Sequence, residues 1–157
     1  MVIFLRKDQF FSLFLAKKSI FRKRKLEKHL EHRSETSRLH DMQASPLQTK
    51  TYAFALQVLF FCRELNAMRE YVLAKQLLKS GTSIGANVEE ATRAQSRADF
   101  IAKLSISFKE ASETDFWLRL LIDANILQEK AIPLRKQLDE ILRLLSASIY
   151  TAQHPKK

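Results

Sequence analysis

A chain of 157 residues that is 46% hydrophobic can bury one sizeable core, and with only 2 Gly and 3 Pro it lacks the material for hairpins, sandwiches or glycine-rich phosphate loops. Its formal net charge of +10 favours polyanionic partners such as RNA, DNA or an anionic membrane surface. Cys62 is the one cysteine, which excludes an intrachain disulfide and fits a reducing cytoplasm, and no apolar run approaches the ~20 residues that span a bilayer.

The first segment, residues 1–41, differs in composition from the rest. It holds 11 Lys/Arg against 5 Asp/Glu, and 5 of the 11 Phe, namely Phe4, Phe10, Phe11, Phe14 and Phe21. The basic block Arg22-Lys23-Arg24-Lys25 follows, then a polar stretch from Glu27 to Asp41. This extension reads either as a basic amphipathic arm for membrane or nucleic acid, or more plainly as a frayed extension or an upstream translation start that the cell does not use. Val2-Ile3-Phe4-Leu5 precede the first charges, so no secretory signal is expected.

Residues 46–152 read as an all-α domain. Ser45 is placed to cap the first helix, with Pro46 at its first position and Gln48 completing a capping box. That helix is predicted to run to about Ala67, with Phe54, Val58, Phe61 and Leu65 at the helical period. A second is predicted over Glu70 to Ala94, with Leu73, Leu77, Ile84, Val88 and Ala91 on its core face. Ser96 caps a third, with Asp99 three residues on and a stripe of Phe100 or Ile101, Leu104, Phe108, Ala111, Leu118 and Ile122. Asn125 to Lys130 reads as a turn. Pro133 then fits the start of a fourth helix, with Leu134, Leu138, Ile141, Leu145 and Ile149 inward. Four such helices with short connections make an antiparallel up-down-up-down four-helix bundle.

Both glycines, Gly81 and Gly85, fall within the second helix, four residues apart. Glycine inside a helix costs about 1 kcal/mol relative to alanine, so the pair calls for close approach of a neighbouring helix. No strand or Gly-Lys-Ser/Thr ending supports a phosphate loop. Asn87 lies about 60° from the centre of the core stripe and reads as a structural amide that fixes helix register.

Lys75, Lys79, Thr82, Ala86 and Arg93 lie opposite the core stripe, and Arg97 and Lys103 follow on the third helix. They form a candidate nucleic-acid strip, interrupted by Glu89 and Glu90; a charged outer face is also what any bundle helix presents. The first helix is apolar nearly all round, with Phe60 outside its main stripe, and Trp117 and Leu120 lie off the stripe of the third. A bundle helix needs one apolar face, so Phe60, Trp117 and Leu120 imply a second buried surface, most simply another subunit.

No catalytic constellation, cofactor motif or small-molecule site is legible. His29 and His32 stand in the extension without further ligands, and the bundle holds no Glu-x-x-His pair of the kind a di-iron site needs. Glu110 and Glu113 read as solvated charges and Cys62 as a small core residue.

Tyr71-Val72-Leu73, Gln76-Leu77 and Ser83-Ile84-Gly85-Ala86-Asn87-Val88-Glu89-Glu90 resemble the signature of a bacterial four-helix-bundle family named for intervening sequences in 23S rRNA genes. The similarity continues through Gln95-Ser96-Arg97-Ala98-Asp99-Phe100, Lys103-Leu104-Ser105-Ile106, Lys109-Glu110-Ala111, Glu113-Thr114 and Trp117-Leu118-Arg119-Leu120-Leu121, and spans about residues 47–145. The resemblance implies a ring-like homopentamer without enzymatic activity. A related group, the accessory variability proteins of diversity-generating retroelements, is similar and binds nucleic acid and a reverse transcriptase. The resemblance supplies no binding residues.

Overall fold

The structure, a computed structural model, describes residues 45–154. The Phe-rich extension, with His29 and His32, lies outside the described residues. Four helices follow one another: α1 (Pro46–Ala67), α2 (Tyr71–Ala91), α3 (Arg97–Asp123) and α4 (Gln128–Gln153). α1 packs on α2, α2 on α3 and α3 on α4, while α4 closes back on α1 more loosely. This is the antiparallel up-down-up-down bundle, with α1 and α3 on one diagonal and α2 and α4 on the other.

Local chemistry sets the helix starts. The Ser45 hydroxyl accepts from the Gln48 backbone N–H at 3.2 Å, and the Gln48 carboxamide accepts from the Ser45 N–H at 2.9 Å, so the capping box is complete. At α3 the Ser96 hydroxyl accepts from the Asp99 N–H, and the Asp99 carboxylate accepts from the Gln95 N–H. With both glycines spent inside α2, the tight turns use Arg69, Asn125 and Leu127 in the left-handed region, at φ of 67°, 56° and 47°. Bonds from Glu70 N–H to the Leu65 carbonyl and from Ile126 N–H to the Leu121 carbonyl close α1 and α3 around two of these residues.

Two boundaries differ from the sequence reading. α2 ends at Ala91 rather than Ala94, because Arg93 and Ala94 donate to carbonyls three residues back, a tighter turn that terminates the helix. α4 begins at Gln128 and contains Pro133 instead of starting there. The proline removes a single bond, to Glu129, an exposed residue of the first turn, and the gain is burial of Ala131 in the core.

Leu134, Leu138, Ile141 and Leu145 of α4 meet Phe54, Val58 and Leu65 of α1, Leu77, Ile84 and Val88 of α2, and Leu104 and Leu118 of α3 in one core cluster. Leu73, placed on the core face by the sequence, is half-buried, and Ala74 takes the inward position. Burial pushes the Cys62 thiol up to about 11, so it is held as the unreactive thiol.

Three buried hydroxyls join α2 to α3. Ser107 donates to the Ile84 carbonyl at 2.9 Å, and Thr114 Oγ1 stands 3.0 Å from Ser80 Oγ, which donates to the Gln76 carbonyl. Every such group has a partner, so small polar residues let the helices approach without a buried orphan. Between α1 and α2 the glycines do the same. A Cβ at Gly81 would stand 2.9 Å from Val58 Cγ1, and one at Gly85 3.4 Å from the Thr51 carbonyl oxygen. The α1–α4 seam is polar: Gln57 and Gln137 exchange amide bonds at 2.8 and 2.9 Å, Lys130 meets Glu64, and Lys50 meets Glu140, whose carboxyl it holds below the usual range.

The contacts named here join α1 to α4 into one core, and a chain beginning at Met42 is expected to keep the helicity and melting midpoint of the full chain. Circular dichroism across a thermal ramp checks this; earlier melting would mean that the extension docks on the bundle.

Candidate nucleic-acid interface

The outer face of α2 carries Lys75 and Lys79 one helical turn apart, both exposed. Among the described residues neither meets a carboxylate within ion-pair distance, and the same holds for Arg93. Thr82 and Ala86 continue this face, the Thr82 hydroxyl being spent on the Leu78 carbonyl at 2.7 Å. Arg93 is exposed in the turn beyond the end of α2.

The other two basic residues are committed locally. Arg97 donates through Nε to the carbonyl of Ala152 in the last turn of α4, where the helix dipole favours a cation. Lys103 bridges from α3 to Glu90 on α2, and the hydrogen bond and charge of that carboxylate raise its pKa. The structure therefore brings Lys75 and Lys79 together, sets Arg93 past the end of their helix, and turns Arg97 and Lys103 toward neighbouring helices.

α4 offers a second basic surface that the sequence reading passed over. Lys136 and Arg143 are both exposed and lie seven residues apart, the spacing of one helix face. Beside them, Asp115 of α3 accepts from Arg119 at 2.9 Å and from Arg135 at 2.7 Å. A groove of about 480 Å³ runs along this seam, lined by Phe108, Ser112, Asp115, Arg119, Leu142 and Arg143 among others. Phe108 stood on the core stripe of the third helix in the sequence, but pairing of Asp115 with an arginine twenty residues away is a tertiary fact.

Gly81 and Gly85 are buried against α1, as described above, and Asn87 is half-buried with its amide donating to the Ser83 carbonyl of its own helix at 2.8 Å. Of the apolar residues outside the core, Phe60 is 51% exposed and Leu120 41% exposed. Trp117 is half-buried, donating to Glu113 at 3.3 Å and standing edge-on to Phe116. Among the described residues no three His, Cys, Asp or Glu side chains gather as metal ligands, and no helix is long and apolar enough to cross a membrane.

The sequence profile of the 23S rRNA-intervening sequence proteins matches residues 45–147, from the α1 cap well into α4. The chain belongs to that family. A solved relative, a protein of unknown function from the S23 ribosomal protein family of Bacteroides thetaiotaomicron, is 46% identical, with a TM-score of 0.63. The match covers 66% of this chain and 97% of that one. No curated protein matches. As a 23S rRNA-intervening sequence protein, the chain carries the family match on its bundle, and residues 1–41 lie outside the matched span.

Proposed function

We propose that the protein is a non-enzymatic, self-associating bundle of the cytoplasm that binds structured RNA or DNA through its basic outer faces. The observation that carries this reading is the pair Lys75 and Lys79, exposed and free of ion-pair partners among the described residues, on the outer face of α2. Ammonium groups one turn apart are positioned to neutralise successive phosphates without desolvating a carboxylate. Arg93 extends the charge past the helix end, and Lys136 and Arg143 add a second basic face on α4. Two or three cations bind a polyanion weakly, but an oligomer repeats them in every subunit and converts modest affinity into avidity. The family resemblance favours five subunits.

Binding by phosphate neutralisation releases counterions, so the affinity of the full chain is expected to fall with salt at a log–log slope of roughly −0.7 to −0.9 per phosphate contacted. Replacing Lys75, Lys79 and Arg93 with Glu should weaken binding of a structured RNA or duplex DNA, with helicity unchanged. Fluorescence anisotropy across a salt series reads both effects. Absence of binding at low salt sinks the nucleic-acid reading and leaves a protein-interaction adaptor, for example one that docks a reverse transcriptase. Full-strength binding by the triple variant would move the site to another face, α4 first.

A further inference from the structure

The basic strip of α2 begins at an aromatic residue. Tyr71, first in the helix, is 61% exposed, and Val72 beside it is 74% exposed. Tyr71, Lys75 and Lys79 recur every four residues, so the ring and the two ammonium groups follow one another along one outer face, each a helical turn from the next. Arg69 is exposed in the turn two residues before Tyr71, and it too meets no carboxylate within ion-pair distance among the described residues.

The charge on this face is uncompensated. From Tyr71 to Val88 the helix holds no acidic residue, and Glu70 lies about 140° round the helix from Lys75. On α4, by contrast, Lys136 and Arg143 alternate with Asp139 and Glu140 at helical spacing. The ring is equally unengaged. Among the other exposed aromatic side chains, Phe60 lies under the Arg63 guanidinium, 5.5 Å from the ring centroid, Phe116 stands edge-on to Trp117, and Tyr150 stacks on His154 at 4.5 Å. Tyr52 lines a hollow on the α1–α2 seam together with Glu89, a carboxylate that repels phosphate. Among the described residues the Tyr71 ring meets neither another ring nor a guanidinium, and it stands next to unpaired cations.

We infer that the outer face of α2 takes an unpaired stretch of nucleic acid, with a base stacked on Tyr71 and the adjoining phosphates on Lys75 and Lys79. This rests on the nucleic-acid reading proposed above and names the form of nucleic acid that the face selects. In a duplex each base is stacked between its neighbours, so its face is closed to a side chain; a loop, a bulge or a free strand can splay one out. Stacking on an aromatic ring is tolerant of sequence, because every base has a π-face. Tyrosine suits the role, since it offers a broad, rigid ring on few side-chain torsions. Val72 widens the apolar surface beside the ring. A structured RNA is then gripped where its helices are interrupted, and the lysines hold the backbone on either side of the splayed base.

Fluorescence anisotropy of the full chain tests the stacking, with a labelled single-stranded RNA oligonucleotide and with the blunt duplex that it forms with its complement. Tyr71→Ala is expected to weaken binding of the single strand about tenfold and of the duplex by less than about twofold. Tyr71→Phe keeps the ring and should bind as the wild type does. Salt separates the two kinds of contact. Tyr71→Ala should lower affinity by the same factor at every salt concentration, whereas Lys75→Ala and Lys79→Ala should each flatten the log–log slope by roughly 0.7. Circular dichroism confirms that the variants are folded. Equal losses on strand and duplex, no loss in Tyr71→Ala, or a loss in Tyr71→Phe as large as in Tyr71→Ala overturns the stacking while leaving nucleic-acid binding itself in place. A wild type that binds neither oligonucleotide at low salt removes the nucleic-acid reading, and this inference with it.

Discussion

Gly81→Leu is expected to lower the thermal midpoint by about 5–20 °C, the range that follows from roughly 1–3 kcal/mol of overpacking in a domain of this size. The first added carbon would already stand 2.9 Å from a methyl of Val58. Val58 is fully buried and β-branched, so it has no alternative rotamer to retreat into. The remaining carbons would have to push α1 from α2 along the line where Gly85 lets the Thr51 backbone approach. Gly85→Leu should therefore destabilise as well, by forcing that backbone to move. Even Gly81→Ala, which stabilises an exposed helix by about 1 kcal/mol, should lose that benefit here. Ala86→Leu is the control: Ala86 is exposed on the same helix, and the change should stay within about 0.5 kcal/mol. Differential scanning calorimetry of the three leucine variants decides it, and equal midpoints for all would mean that α2 is rotated from the orientation described.

The largest single loss is expected at Phe54. Phe54→Ala removes a ring that is 0% exposed at the centre of the core cluster, and such truncations cost about 3–5 kcal/mol. Against a total stability of roughly 5–15 kcal/mol, the variant should be near unfolding at physiological temperature. Phe60→Ala makes the same chemical change six residues along α1, on a ring 51% exposed in the single chain. Its melting at concentrations where the protein is dissociated should change little, while its assembled fraction should fall. Urea titration of both variants separates core from outer face, and similar losses at the two positions would contradict the phase of α1.

Much of the bundle was legible in the sequence because it rests on interactions within a few residues. The Ser45–Gln48 capping box, the Ser96 cap and the periods of Phe54, Val58 and Leu65 or of Leu134, Leu138 and Leu145 depend on helical geometry alone. The pull of two glycines in one helix toward a close neighbour was legible for the same reason. The α4 start was not, since local rules favour Pro133 at a first position and cannot weigh that preference against burial of Ala131. Nor were Ser80, Ser107 and Thr114: a hydrophobic count passes over hydroxyls, and their burial depends on a partner helix presenting an acceptor at the right height.

The candidate site divides in the same way. The wheel placed Lys75 and Lys79 on an outer face because they share one helix and one period. Only the tertiary structure determined that Lys103 is held by Glu90, that Arg97 reaches the carbonyl of Ala152, and that α1 and α3 stand on opposite corners of the bundle. Those facts depend on the order, rotation and register in which four helices pack. A one-dimensional period fixes the face of each helix but not the neighbour that it meets.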